Sequence, residues 1–486
     1  KEMGKPAEAR GLFEALAKQF HERPEAASAL WRAGQCRREE LLAALAAARA
    51  TPLKPGVKPE ELAAAAKTIE DSLAGLRQTA ELFKTEAAKL AVGQASGVPG
   101  DPKGRPTTAP GDLASRPTNE AYLRMIYETG WCYRALAEAE IEAARQKLQR
   151  EGLEKVLANL KKAGAAAKPG QPAPPLPALN PPEVPVSAIP VQESEKAARE
   201  QYTALIAAAR RSPLGTRAKL EMAEMDAQRG KTDAAVEALA AALEDNPPLE
   251  LAERIHLRLA TCFLARNDVD SALAQTQAVA KNATSSLAGE AACLLGEIYI
   301  QKKDWPNAIA QLVPFRDKDP FRNMPGLTDR ALLRLGYALA QAQKWDESRQ
   351  TLEALVQRFN QSPWIYEARY GMGWAWQNMN QFDNACNAYT EVTRGTAAEV
   401  AARAQLQIGL CRLAQKRYPE AAKELLVVPY TYDYPEQSAW ALCEAGQAYL
   451  EQKLSGDATK LWQGVMKDYA ASKWAEVAKQ RLTAVK

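Results

Sequence analysis

Arg217, Arg254, Arg330 and Arg403 occupy one register position of a repeating unit, each six residues before a small residue that recurs along the chain. Three further units carry Glu290, Glu367 and Trp440 at that position. One residue after the small residue stand Tyr337 and Trp374, and five after it Gln341 and Asn378. A guanidinium group grips a carboxylate through two parallel hydrogen bonds, and a primary amide can pair with peptide backbone. Beside aromatic faces, such a set suits an extended, acidic peptide. The competing reading is that the arginines solvate helix faces while the aromatic rings pack between helices.

Other chemistry has little foundation in the sequence. The two histidines, His21 and His256, lie far apart on expected helices, and the carboxylates are scattered, so no acid–base pair emerges. No phosphate-binding loop, HExxH, GxSxG or EF-hand spacing occurs, and the Gly371–Gly373 pair falls inside an expected helix. The seven cysteines include no CxxC and no Cys/His metal spacing. Six fall two residues after or three before a first-helix small position (Cys36, Cys132, Cys262, Cys293, Cys411, Cys443), and Cys386 follows a second-helix one. That register reads as buried reduced thiols. No enzyme activity, cofactor or metal is expected. With 63 basic against 59 acidic residues, the net charge of +4 gives no footprint for nucleic acid. No run approaches the roughly 18 apolar residues of a membrane span.

The elements that must position the arginines come from two marks in fixed register. Ala223, Ala260, Gly296, Gly336, Gly373, Gly409 and Gly446 recur at steps of 37, 36, 40, 37, 36 and 37 residues. Twelve residues after each comes Ala235, Ala272, Ala308, Ser348, Ala385, Ala421 or Ala458. Small residues at a constant offset belong where two helix backbones meet closely, so each repeat is a helix pair and the array a solenoid. Seven residues after each second mark stand Ala242, Val279, Phe315, Leu355, Val392, Val428 and Val465, a stripe expected to face the core. Trp305, Trp345, Phe382 and Tyr418, three before the second mark, are placed to cover the turn.

This pattern resembles the tetratricopeptide repeat family, through Leu295-Gly296…Tyr299…Ala308, Leu335-Gly336…Ser348…Leu355 and Met372-Gly373…Trp376…Ala385. The resemblance implies an all-α, right-handed superhelix whose first helices line a concave, ligand-binding surface. It also implies a non-enzymatic scaffold with a protein or peptide partner. The unit length, with boundary strings such as Asn360–Trp364 and Asp468–Trp474, is similar to bacterial envelope members. These include periplasmic Tol–Pal-associated proteins and outer-membrane assembly lipoproteins. A periplasmic or envelope location is therefore the expectation, and a cytosolic adaptor the alternative.

Residues 193–486 read as the regular solenoid and 1–192 as interrupted repeats, with Gly34 and Gly130 as first-helix marks and Ser194–Arg211 as a second helix. The chain opens on what reads as the second helix of a unit, with Ala9 as its mark, so a first helix is expected upstream. Between the marks, residues 59–91 place Leu62, Ala66, Ile69, Leu73, Leu76, Ala80, Phe83, Ala87 and Leu90 at alternating steps of four and three. That spacing predicts a coiled-coil-like seam, with a partner through Ala137, Ile141, Ala144 and Leu148, or a surface that assembles copies. The Pro/Gly-rich stretches 93–116 and 165–191 read as loops, the second an extended spacer that could dock a proline-binding partner.

Overall fold

The computed structural model describes residues 5–485 apart from 22, 24, 52–57, 97–116, 166–183 and 283, and among them every regular element is helical. Most of the two Pro/Gly-rich stretches, including 172–182, therefore lies outside the described residues. The helices are α1 (Pro6–Gln19), α2 (Glu25–Ala50), α3 (Pro59–Ser96), α4 (Pro117–Ala165) and α5 (Glu193–Ala208). There follow the pairs α6 (Pro213–Gln228) with α7 (Thr232–Leu243) and α8 (Leu249–Ala265) with α9 (Val269–Ala280). Next come α10 (Ala288–Gln301) with α11 (Trp305–Asp317), α12 (Thr328–Gln341) with α13 (Trp345–Arg358), and α14 (Ile365–Asn378) with α15 (Phe382–Gly395). The last are α16 (Glu399–Ala414) with α17 (Tyr418–Thr431), α18 (Pro435–Glu451) with α19 (Ser455–Asp468), and the single α20 (Lys473–Val485). Two compact bodies divide the chain, residues 1–148 with 184–279 and residues 149–183 with 280–486.

Within each regular pair the marks act as the sequence requires. All seven second-helix marks are completely buried, and so is every residue of the stripe seven positions later. Ser348, the one polar mark, donates its hydroxyl to the Gly336 carbonyl at 2.7 Å, so its burial leaves no unsatisfied group. A third mark, sixteen residues after the first, completes the joint. A Cβ on Gly373 would stand 2.6 Å from the Tyr389 ring, and Leu312, Leu352, Leu425 and Trp462 fill the same place against Gly296, Gly336, Gly409 and Gly446. In these five pairs a large side chain from the second helix thus sits in the hole left by the missing Cβ of the first.

The turn between paired helices has one geometry. Seven residues after the first mark, Gly230, Asn267, Lys303, Gln343, Asn380, Lys416 and Lys453 all have positive φ, between 57° and 75°. The next residue's amide reaches back to the carbonyl three after the mark, as in Lys344 to Leu339 and Gln381 to Trp376, both at 2.9 Å. This is a Schellman-type helix end, in which a left-handed residue lets the chain satisfy the last turn's carbonyls. Boundaries between pairs recur as well. In the strings Asn360–Trp364 and Asp468–Trp474, Ser362 and Ser472 each accept the amide of the tryptophan two residues on, at 3.2 Å.

The N-terminal pairs follow the same joint with longer connections. Phe83 of α3 lies on Gly34 of α2, and Tyr202 of α5 lies on Gly130 of α4, where a Cβ would stand 2.7 Å from the ring. Residues 59–91 are thus helical as expected, but α3 is the second helix of the pair opened by α2, with buried Thr79 at the small mark. Its seam is filled from within. Leu76, Ala80, Phe83 and Ala87 share a core with Trp31 of α2 and Cys132, Tyr133 and Leu136 of α4. Tyr133 donates to Glu81 at 2.5 Å, and Arg77 lies 3.7 Å from Glu140. At the turn position, where the regular pairs have a left-handed residue, Leu41 of α2 and Ala137 of α4 stay helical and both helices run on. The stretch expected as loop from 93 begins in helix, since α3 continues to Ser96.

The end of the second loop, 184–192, is fastened to the first body by Arg229, the residue that closes α6. Its Nη1 donates to the Val186 carbonyl at 2.8 Å and to that of Ile189, and its Nη2 to that of Pro190 at 3.4 Å. Nε donates to Glu195 at 3.1 Å, and Nη2 also meets the second oxygen of that carboxylate. Arg145 donates to the Val184 carbonyl at 3.2 Å, and Ile189 is buried beneath the strap.

Candidate functional site

Consecutive first helices pack directly on one another, α6 with α8 in the first body and α10, α12, α14, α16, α18 and α20 in the second. Residues at equal register therefore share a face, which is where the sequence placed its arginines.

In the first body, Arg217 and Arg254 are exposed on α6 and α8. Arg254 bonds Glu250 on its own helix at 3.1 Å. Beside Arg217 lies a half-buried polar row. Tyr127 donates to Glu221 at 3.0 Å, Arg134 bridges Glu221 and Glu224 (2.8 Å to the latter), and Arg258 reaches Glu224 at 2.7 Å. Burial and the adjacent Glu224 charge push the Glu221 carboxyl up, against the pull of Arg134. Burial and the Glu221 charge likewise raise the Tyr127 phenol. Arg124, six residues before Gly130, extends the arginine register into the interrupted pair. It stacks over Trp31 at 4.5 Å and bonds Glu120 at 2.8 and 2.5 Å. Carrying the count back through Gly130 would have found it.

In the second body, Arg330 grips Glu297 through two bonds of 2.8 and 2.5 Å, and Arg334 reaches the same carboxylate at 3.0 Å. Arg403 lies over the Tyr370 ring, 5.0 Å from its centroid. Tyr337 is 44% exposed and meets Trp305 edge-on at 6.2 Å. Trp374 is half-buried against Trp345 at 5.4 Å, also edge-on. Asn378 donates to its own helix at the Trp374 carbonyl (2.8 Å), and Gln341 is half-buried. Trp305 and Trp345, each three residues before its second mark, thus brace an aromatic ring on the next pair's first helix. Glu224 and Glu297, one residue after their marks, are the carboxylates that hold arginines of the following pair. The same register position carries Tyr337 and Trp374 in other pairs, so its acids are as legible in the sequence as its aromatics.

Tetratricopeptide repeat-like domain and tetratricopeptide repeat family models match residues 185–312, 330–362, and 1–57 with 370–429. The chain is a tetratricopeptide repeat protein. Such repeats generally mediate protein–protein interaction. Among solved structures, a tetratricopeptide repeat protein from Parabacteroides merdae aligns at 14% identity over 56% of this chain and 98% of its own, with a TM-score of 0.42. The pilF protein of Pseudomonas aeruginosa aligns at 16% identity over 48% and 98%, with a TM-score of 0.38. BtubC from P. vanneervenii aligns at 13% over 42% and 89%, with a TM-score of 0.35. No curated protein matches the chain significantly.

The remaining candidates have ordinary surroundings for a tetratricopeptide helix. His256 bonds Gln275 at 2.7 Å, whereas His21, expected on a helix, is exposed in the turn after α1 ends at Gln19. All seven cysteines are buried and unbridged, and burial pushes the thiols of Cys132 and Cys293 up to about 12 and that of Cys443 to about 11. Among the described residues no cluster of three His, Cys, Asp or Glu could hold a metal, and no helix is long and apolar enough to cross a membrane.

Proposed function

We propose that the protein is a non-enzymatic scaffold whose first-helix faces hold an extended, acidic protein segment. The observation that carries this reading is the arginine register. Arg254, Arg330 and Arg403 are each oriented by a neighbour, yet their side chains stay 55%, 44% and 41% exposed. Exposed ion pairs contribute only about 0–1 kcal/mol, so a ligand carboxylate can share or replace the present partner at little cost. A side chain already oriented loses less entropy on binding. Tyr337 offers an aromatic surface on the same face of the second body. The alternative of an oligomer assembled through residues 59–91 has less support, because the seam of α3 is occupied by α2 and α4.

The test is binding of the full chain to an array of extended peptides differing only in Asp/Glu content, by fluorescence polarisation. Acidic peptides should bind, and more weakly as salt rises. Changing Arg217, Arg254 and Arg403 to Glu should weaken them about tenfold or more, the reach of a few exposed charge contacts of 0.2–1 kcal/mol each. Equal binding by both chains would reduce the register to solvation. We place this scaffold in a bacterial cell-envelope assembly, supported by the likeness of its unit boundaries to envelope members. Fractionation of the native protein should find it in the envelope or periplasm, and recovery in the cytosol would favour the adaptor reading.

A further inference from the structure

Cys386 of α15 directly follows the second-helix mark Ala385, and Cys411 of α16 lies two residues after the first-helix mark Gly409. One pair further on, the equivalent residues are Ala422 and Ala448, which pack together in one cluster. The register thus brings two small side chains face to face across adjacent helices. Where they are both cysteine, the two thiols lie inside a shared core with Tyr389, Val392, Ala404 and Ile408. Both are buried, Cys411 completely and Cys386 to 3% exposure. Just outside the pair, Arg412 bonds Asp383 at 2.8 Å, tying the same two helices and setting a guanidinium beside the sulfurs.

We propose that Cys386 and Cys411 close into a disulfide when the protein meets hydrogen peroxide, joining α15 to α16 covalently. The two thiols are not equivalent. Cys386 keeps slight exposure and has Arg412 nearby, whose charge favours the thiolate. The neighbouring Cys386 and complete burial push the Cys411 thiol up. Cys386 is therefore the attacking thiolate. Its sulfur bonds to one peroxide oxygen, the O–O bond breaks, and the departing hydroxide takes up the proton Cys386 released, giving water and a sulfenic acid. The Cys411 sulfur then attacks that of Cys386 and the S–O bond breaks. The leaving hydroxide takes the Cys411 proton as a second water. The two sulfurs together give up two electrons and the peroxide accepts two.

The experiment treats the folded full chain with hydrogen peroxide, removes the excess with catalase, then denatures, alkylates and weighs it. Five of the seven thiols should alkylate, and dithiothreitol should restore all seven. Trypsin should release one cross-linked species joining residues 370–394 to 404–412. In Cys411→Ser, with helicity checked by circular dichroism, dimedone should instead trap a sulfenic acid on Cys386. Seven free thiols after millimolar peroxide, or a cross-link between other cysteines, would overturn the proposal. The mapping on the unaltered chain needs no variant to fold.

Discussion

Replacing Arg229 with leucine should destabilise the first body by about 3–5 kcal/mol, the cost of stranding one member of a buried ion pair. The side chains of Arg229 and Glu195 are only 7% and 3% exposed, and Arg229 directs donors at three carbonyls and both oxygens of the carboxylate. Leucine fills part of the volume but leaves Glu195 only Arg199, whose bonds to it are long at 3.4 Å. It also frees the 186–190 carbonyls. Replacing both Arg229 and Glu195 with leucine should cost less than Arg229→Leu alone, since the stranded charge is then gone. The pH dependence has a definite sign. Burial opposes the charge on Glu195, but the bonds and charge of Arg229, then those of Arg199, outweigh it and lower its pKa. Stability from a lowered carboxyl is present above its ordinary pKa and is lost as pH falls through the lowered value. In Arg229→Leu burial should win and raise the pKa, so stability is regained as pH falls through it. The gap between variant and parent should therefore narrow on acidification. Hydrogen exchange over 186–208 reads this locally, which suits a repeat protein that need not unfold in one step. Unchanged protection there would show that the strap is held by other contacts.

Trp462→Ala should cost a similar 3–5 kcal/mol at the other end of the chain, as removal of a large buried ring does. Trp462 is completely buried against Gly446, and its indole N–H donates to the Cys443 carbonyl at 3.0 Å. That carbonyl keeps a second donor, Arg481 at 3.0 Å, so the loss is mainly packing and cavity. Because repeats are coupled mainly to their neighbours, exchange should rise across α18, α19 and α20 and change little in α10–α13. A uniform loss of protection through the second body would instead mean that its pairs open as one cooperative unit.

The regular pairs were legible because everything that builds them is local. Two marks twelve residues apart, a buried stripe seven further on and a turn residue between them all lie within one repeat. The α2/α3 pair was hidden for a physical reason. Its joint is made by Phe83 on Gly34 across a long connection, so no fixed offset reveals it, and the heptad spacing of α3 describes a helix buried on two sides as well as a coiled coil. The face was legible by position and not by partner. The sequence places Arg330 and Trp374 on first helices, but their contacts with Glu297 and Trp345 come from the preceding pair and depend on the step between pairs.

The filled glycine hole also determines where this architecture accepts extra sequence. Phe83 and Tyr202 meet their glycines forty-nine and seventy-two residues on, where the regular pairs need sixteen, and the joint is the same. Loop-closure entropy grows only logarithmically, so lengthening such a connection from sixteen to forty-nine residues costs about 1 kcal/mol. That is well below the value of one buried aromatic ring. The tip between two paired helices is thus a grafting port. A peptide epitope, a fluorophore-binding loop or a whole folded module inserted there would leave the docking of its own pair intact, provided the first helix is allowed to run on past its turn as α2 and α4 already do.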